Sequence, residues 1–211
     1  MDDLSKEYVI SFFDRHLQLH GDRPESVRWS ARGQRLHYQS LLDIGRLDNM
    51  RVLDFGCGKG DFYQFLLDRD IAVDYTGYDI NEKFISLAEK KHPSAHFRVF
   101  DITRDTISED FDYIFLCGVF NLRVAGLDEY IRSTLTRLFQ HCRRGLAFNA
   151  LSDLNPKKDF ELYYTSPQDI FGFAVKNLSP SVALRHDRIL YDFTMFIYKD
   201  PCTEDGEEEQ Q

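Results

Sequence analysis

From position 52 the chain reads Val52-Leu53-Asp54-Phe55-Gly56-Cys57-Gly58-Lys59-Gly60-Asp61. A short apolar run breaks into a turn with glycine at every second position. An apolar-periodic stretch, Phe62-Tyr63-Gln64-Phe65-Leu66-Leu67, follows without a spacer. The pattern is that of a buried strand, a tight turn and a helix. Alternate glycines remove side chains where the backbone turns sharply and let a ligand approach it closely. The free N–H groups at the start of the helix then face that ligand. A nucleotide-like cofactor is the natural occupant.

The spacing narrows the choice. A dinucleotide site wants G-x-G-x-x-G and a phosphate-cradling loop wants G-x-x-x-x-G-K-[ST]. Asp54-x-Gly56-x-Gly58-x-Gly60 is neither. Downstream, β-rich segments at 51–55, 74–79, 96–101, 113–117, 145–150, 182–191 and 193–199 alternate with helical patterns at 61–70, 82–92, 127–140 and 167–178. Such alternation predicts a doubly wound α/β fold, a mostly parallel sheet with helices on both faces. The last two strands have only a tight turn near Asp192 between them, so they are expected to close the sheet as an antiparallel hairpin.

Ahead of the sheet, apolar spacing at Val9, Phe12, Phe13 and Leu17 predicts a helix over 4–19, and a second short helix is expected at 38–44. The run His20-Gly21-Asp22-Arg23-Pro24 breaks the chain between them. Three parts are expected: an N-terminal helical cap or lid at 1–45, the cofactor-binding domain at 46–201, and a disordered acidic tail at 202–211. The tail holds five acids and no apolar residue to bury. Without it, 30 acids face 26 Lys and Arg, so most of the net charge of −9 belongs to the tail and the rest is only mildly acidic. With no basic stripe, nucleic acid is not an expected partner.

The four cysteines, Cys57, Cys117, Cys142 and Cys202, show no C-x-x-C pair and no zinc-finger spacing, so free thiols and no metal are expected. No apolar run reaches the length of a membrane span, and Met1-Asp2-Asp3-Leu4-Ser5-Lys6 lacks a signal-peptide pattern. A soluble, cytoplasmic protein is the expectation.

The glycine loop resembles the first motif, D/E-x-G-x-G-x-G, of the class I S-adenosylmethionine-dependent methyltransferases, and the mostly parallel sheet with a terminal hairpin resembles their seven-stranded fold. The resemblance covers residues 50–200. It implies S-adenosylmethionine as cofactor, with S-adenosylhomocysteine as product, held by Asp54, Gly56, Cys57, Gly58 and Gly60. It further implies that Asp79, followed by Ile80 at the end of the second strand, binds the ribose hydroxyls, as an acid there does in related folds. Asp101 corresponds to the acid that receives the adenine amino group, Ile102 to the residue packed on the ring, and Cys117-Gly118 to backbone beside the methionine part. Val27-Arg28-Trp29-Ser30-x-x-x-Gln34 resembles a stretch that covers the cofactor in some small-molecule methyltransferases. Trp29 and Gln34 are then cofactor contacts, and Arg28, Arg32 and Arg35 are placed to pair with its carboxylate. A solvated basic helix face with Trp29 as packing anchor is the equal alternative.

Cys117-Gly118-Val119-Phe120 matches neither N/D-P-P-Y/F nor a Pro-Cys nucleophile, so methylation of adenine, glutamine or cytosine C5 is not implied. The implied function is methyl transfer to a small-molecule acceptor by in-line displacement. A SAM-binding regulatory protein and an NAD-dependent oxidoreductase are the alternatives. The candidate acid–base side chains are His186, Tyr163 and Tyr164, and the aromatic stretch 155–165 either shapes an acceptor pocket or covers the sheet.

Overall fold

The computed structural model describes residues 1–199. The acidic tail at 202–211, with Cys202, lies outside the described residues. Seven strands form one sheet in the order β3-β2-β1-β4-β5-β7-β6. They are β1 (Met50–Phe55), β2 (Val73–Asp79), β3 (His96–Val99), β4 (Phe111–Leu116), β5 (Cys142–Leu151), β6 (Val182–Arg185) and β7 (Asp192–Tyr198). Neighbouring pairs are parallel from β3 through β5, and β7 runs antiparallel to both β5 and β6. The expected terminal hairpin is therefore present, and six strands point one way.

The helices are α1 (Asp3–His20), α2 (Ala31–Leu41), α3 (Asp61–Leu67), α4 (Glu82–Lys91), α5 (Leu127–Gln140) and α6 (Pro167–Asn177). Alternate side chains along each strand feed two cores. Val52, Phe115, Ala147 and Phe196 pack against Leu41 of α2 and Phe62 and Leu66 of α3. Leu53, Ile114, Leu146 and Met195 pack against Ile131 and Leu135 of α5 and Ile170 of α6. Both faces are covered, which is why the central strands read as nearly unbroken apolar runs.

Several boundaries differ from the sequence expectation: α3 ends at Leu67, β4 starts at Phe111 and β5 at Cys142, and three further differences bear on the site. The second helix begins at Ala31, seven residues early. Ser30 caps it by accepting the Gly33 N–H at 3.0 Å, and a short 3₁₀ turn, Leu42–Ile44, continues it. This helix is fastened to the sheet by Ser40 with Thr194 at 2.9 Å and His37 with Asp192 at 2.5 Å. Strand β3 ends at Val99, so Phe100 and Asp101 already belong to the loop. Strand β6 stops at Arg185, whose guanidinium holds Asp187 and Asp43, and Tyr191 turns the chain at φ 60°. Residues 186–191 are thus a loop, and Asp192 opens β7 instead of marking a tight turn.

Candidate active site

The chain leaves β1 for β2 and β3 on one side and then returns to build β4 and β5 on the other. That reversal opens a crevice at the carboxyl ends of the strands, where open α/β sheets bind ligands. A cavity of about 280 Å³ lies there. Its floor comes from Phe55 and Gly56 after β1, Asp79 and Ile80 after β2, Phe100 and Asp101 after β3, Gly118 and Val119 after β4, and Leu151 at the end of β5. Val9, Ile10, Phe12 and Phe13 of α1 cover one side, and Val27, Arg28 and Trp29 cover another.

Asp79 is tied at both oxygens to the turns that flank it. The Gly58 N–H donates to Oδ2 at 2.8 Å and the Asn81 N–H to Oδ1 at 2.8 Å. Burial pushes its carboxyl up to about 6, against the pull of these N–H donors. The glycine loop is thus organised around Asp79. Of the loop's three glycines Gly58, at φ 53°, is the one beside which there is room: a Cβ there would meet nothing nearer than Val27 Cγ1 at 3.7 Å. Gly56 and Gly60 instead clear space for Val119 and for His92 and Phe97. Gly60 and Asp61 do not line the cavity, so the amides that start α3 do not face it.

Asp101 lies at the other end of the floor. Its Oδ1 accepts the Thr103 N–H at 2.9 Å and the Thr103 hydroxyl at 2.8 Å, and its Oδ2 accepts the Lys6 ammonium at 2.6 Å. Burial opposes ionisation, yet Lys6 and Thr103 hold the carboxyl below the usual range. Lys6 belongs to α1 and is itself buried. Asp14 adds further ties to Asn81, at 2.9 Å, and to Lys83. Helix α1 is therefore latched down over the β2–β3 end of the cavity.

Trp29 occupies the space that Gly118 leaves free. At φ 70° a Cβ on Gly118 would stand 2.8 Å from Trp29 Cζ2. The indole is backed by the His37 ring, 4.1 Å away between centroids. His37 in turn joins the Gly33 carbonyl through Nδ1 at 2.7 Å and Asp192 through Nε2. Nothing in the sequence marked His37 and Asp192 as supports of Trp29, because they lie 155 residues apart.

The cavity gathers Trp29, Gly56, Gly58, Asp79, Ile80, Asp101 and Gly118. It does not gather Asp54, Cys57, Gly60, Ile102, Cys117 or Gln34, which stand behind it. Asp54 is buried beneath the loop and accepts the Tyr75 hydroxyl at 2.6 Å; burial pushes its carboxyl up to about 7. Gln34 donates to Asp61 at 3.0 Å. Cys117 Sγ accepts from Asn149 Nδ2 at 3.5 Å, and burial drives both it and Cys57 upward, away from thiolate. Ile102 sits in the core beside α5. The acid–base candidates also lie off the cavity: Tyr163 packs against the core, the Tyr164 hydroxyl accepts the Asp159 N–H, and His186 sits in the loop after β6. Of the stretch 155–165, Leu162 reaches the cavity, whereas Phe160 is exposed. Leu162 pairs with Leu122 in an isolated bridge. Among the wall residues, the apolar stripe of α1, the Val27-Arg28-Trp29 stretch and the segment holding Leu162 were visible beforehand, whereas Leu122 and Leu151 were not.

A sheet wound from a central reversal, a glycine loop leaning on the acid after β2, and a terminal hairpin define a cofactor-binding α/β enzyme fold. Residues 53–147 match the family described as a methyltransferase domain. The chain is 34% identical over 163 residues, 74% of its length and 97% of the relative's, to Rv1506c, a Mycobacterium tuberculosis protein described as a methyltransferase. The chain belongs to the class I S-adenosylmethionine-dependent methyltransferases. Among solved structures the fold is similar to that of magnesium protoporphyrin IX methyltransferase from Synechocystis PCC 6803, with a TM-score of 0.65 at 18% identity over 93% of this chain and 100% of that one. It is also similar to DhpI, with a TM-score of 0.70 at 13% identity over 96% and 100% of the two chains.

Proposed function

We propose that this enzyme transfers the methyl group of S-adenosylmethionine to a small-molecule acceptor within the crevice. The observation that carries this is the cavity spanning Asp79, Gly58 and Gly118. The nucleoside is assigned to the β2–β3 end, where Asp79 faces the ribose hydroxyls and Phe100, Leu127 and Tyr130 wall the ring. The methionine part is assigned to the β1–β4 reversal under Trp29. When bound, the cofactor supplies an activated methyl carbon on a sulfonium sulfur. The chain's part is to align donor and acceptor and to exclude water. Helix α1 and Trp29 do both by closing two sides of the site. A macromolecular acceptor fits poorly with walls on both sides. Solved structures of similar fold include enzymes named for magnesium protoporphyrin IX and for phosphoethanolamine.

The test is incubation of the protein with methyl-labelled S-adenosylmethionine and a fractionated cell extract. Label is expected in the low-mass fraction. Label found only on protein or nucleic acid contradicts the small-molecule assignment.

A further inference from the structure

We propose that Asn121 selects the acceptor, a molecule with an apolar body and an uncharged N–H or O–H group that donates to the Asn121 side-chain oxygen. This rests on the methyltransferase function proposed above. Among the described residues lining the cavity, Asn121 is the one with a buried side-chain polar atom left unpaired, its Oδ1. The carboxylates and the second amide of the lining have their donors. Asp79 accepts from Gly58 and Asn81, Asp101 accepts from Lys6 and Thr103, and Asn81 Oδ1 accepts the N–H groups of Lys83 and Phe84. A buried carbonyl oxygen without a donor costs free energy. The chain supplies no donor to Asn121, so the donor is assigned to the ligand that fills the crevice.

The chain places this oxygen away from the nucleoside end. After β4 it runs Gly118-Val119-Phe120-Asn121-Leu122, with Phe120 turned into the core. The Asn121 carbonyl accepts the Tyr163 N–H at 2.9 Å, the Arg123 N–H donates to the Glu161 carbonyl at 2.9 Å, and Leu122 bridges Leu162 between them. The Thr165 N–H donates to the Leu151 carbonyl at 2.8 Å, which fastens this short ladder to the end of β5. Asn121 therefore shares the β4–β5 end of the cavity with Val119, Leu122, Leu151 and Leu162, all apolar. Asp79 and Asp101, after β2 and β3, lie across β1 from it. The terminal torsion of Asn is soft, so a small rotation of the carboxamide turns Oδ1 to an incoming donor while the backbone stays in place. An apolar body gains by burial against these walls. A cationic donor would bring a charge that a carboxamide cannot pair, whereas an uncharged N–H or O–H needs only the one bond. That bond orients the acceptor toward the methyl group under Trp29. The cofactor's ribose hydroxyls and adenine amino group are assigned to Asp79 and Asp101, which leaves its methionine ammonium as the rival donor.

The test loads the protein with S-adenosylhomocysteine and titrates two pairs of isomers: hexanol against pentyl methyl ether, and hexanamide against N,N-dimethylbutanamide. In each pair only the first carries a donor, on oxygen or on nitrogen. Trp29 is the chain's only Trp and lines the cavity, so its emission reports binding. In at least one pair the donor isomer should bind about three- to tenfold more tightly, and the pair that shows it names the donor as O–H or N–H. Asn121→Leu should remove or reverse that preference. Asn121→Asp, which keeps an oxygen acceptor, should retain it. Both variants should hold S-adenosylhomocysteine within about twofold of the wild type, which also reports that they are folded. Equal binding within both pairs, or a preference that survives Asn121→Leu, overturns the proposal. So does a folded Asn121→Leu variant that loses S-adenosylhomocysteine, since Asn121 then serves the ammonium; should Leu disrupt the fold, Asn121→Ala takes its place. If the wild-type protein does not load with S-adenosylhomocysteine at all, the methyltransferase function itself fails, and the acceptor assignment with it.

Discussion

Burial raises the carboxyls of both Asp79 and Asp54, but the two residues differ in what they touch. Asp79 reaches the cavity and organises the glycine loop, whereas Asp54 is sealed beneath it with Tyr75. A carboxylate facing a diol makes charge-assisted hydrogen bonds, so Asp79→Ala should cost roughly 1.5–3 kcal/mol of S-adenosylhomocysteine binding, or about 10- to 150-fold by calorimetry. A change below about twofold would leave Asp79 as a turn residue only. Because its carboxyl titrates near 6, affinity should hold above pH 7 and weaken as the pH falls through about 6. Asp54, sealed from the cavity, bears on stability alone, to whose pH dependence the raised Asp79 carboxyl adds in the same direction. The folded pKa of Asp54, about 7, lies above the ordinary 3.8, so the folded chain keeps a proton that the unfolded chain has released. Stability therefore declines as the pH rises between those values, by at most about 1.4 kcal/mol per pH unit. Asp54→Asn should flatten the fall in melting temperature between pH 5 and pH 8; an unchanged slope contradicts this.

Helix α1 shows how an element without a place in the sheet takes part in the site. Its apolar side lines the cavity, and its ties to the sheet loops are polar: Lys6 to Asp101, Asp14 to Asn81 and Lys83, and Asp3 to Arg104. Asp101 thus serves the latch and, in the proposed site, the adenine amino group. Lys6→Ala should loosen α1, speeding amide exchange over 3–20 and raising the association rate of S-adenosylhomocysteine. Exchange no faster than wild type would make α1 a fixed wall. Much of this architecture was legible beforehand. The glycine loop, Asp79 and the strand alternation carry local signals, and β1, β2, β4 and β7 fall where apolar runs place them. The start of α2 was not read, because Ala31-Arg32-Gly33-Gln34-Arg35 has no apolar period and its signal is the Ser30 cap. The end of β6 depends on the distant Asp43, and the β4–β5 walls depend on Leu122 meeting Leu162 across 40 positions. Cofactor residues assigned by motif position alone, such as Cys57 and Ile102, lie outside the cavity lining, because both sit in turns, where local sequence carries no signal of which way a side chain faces.

At the scale of the whole molecule, the two buried cores hold seven strands so that five of them present their carboxyl ends to one cavity. The strand reversal beside β1 makes the crevice, the glycine loop gives it a floor, and the N-terminal segment walls it. No helix of the described residues is long and apolar enough to cross a membrane. The central claim is that this crevice is built for S-adenosylmethionine. The most direct measurement is calorimetric titration of the full chain with S-adenosylhomocysteine and, separately, with NAD, alongside the Gly58→Val variant. The wild type should bind one S-adenosylhomocysteine per chain and no NAD. Gly58→Val, whose side chain enters the cavity from a backbone at φ 53°, should remain folded and lose that binding. Tight NAD binding, or undiminished S-adenosylhomocysteine binding by Gly58→Val, would contradict the account.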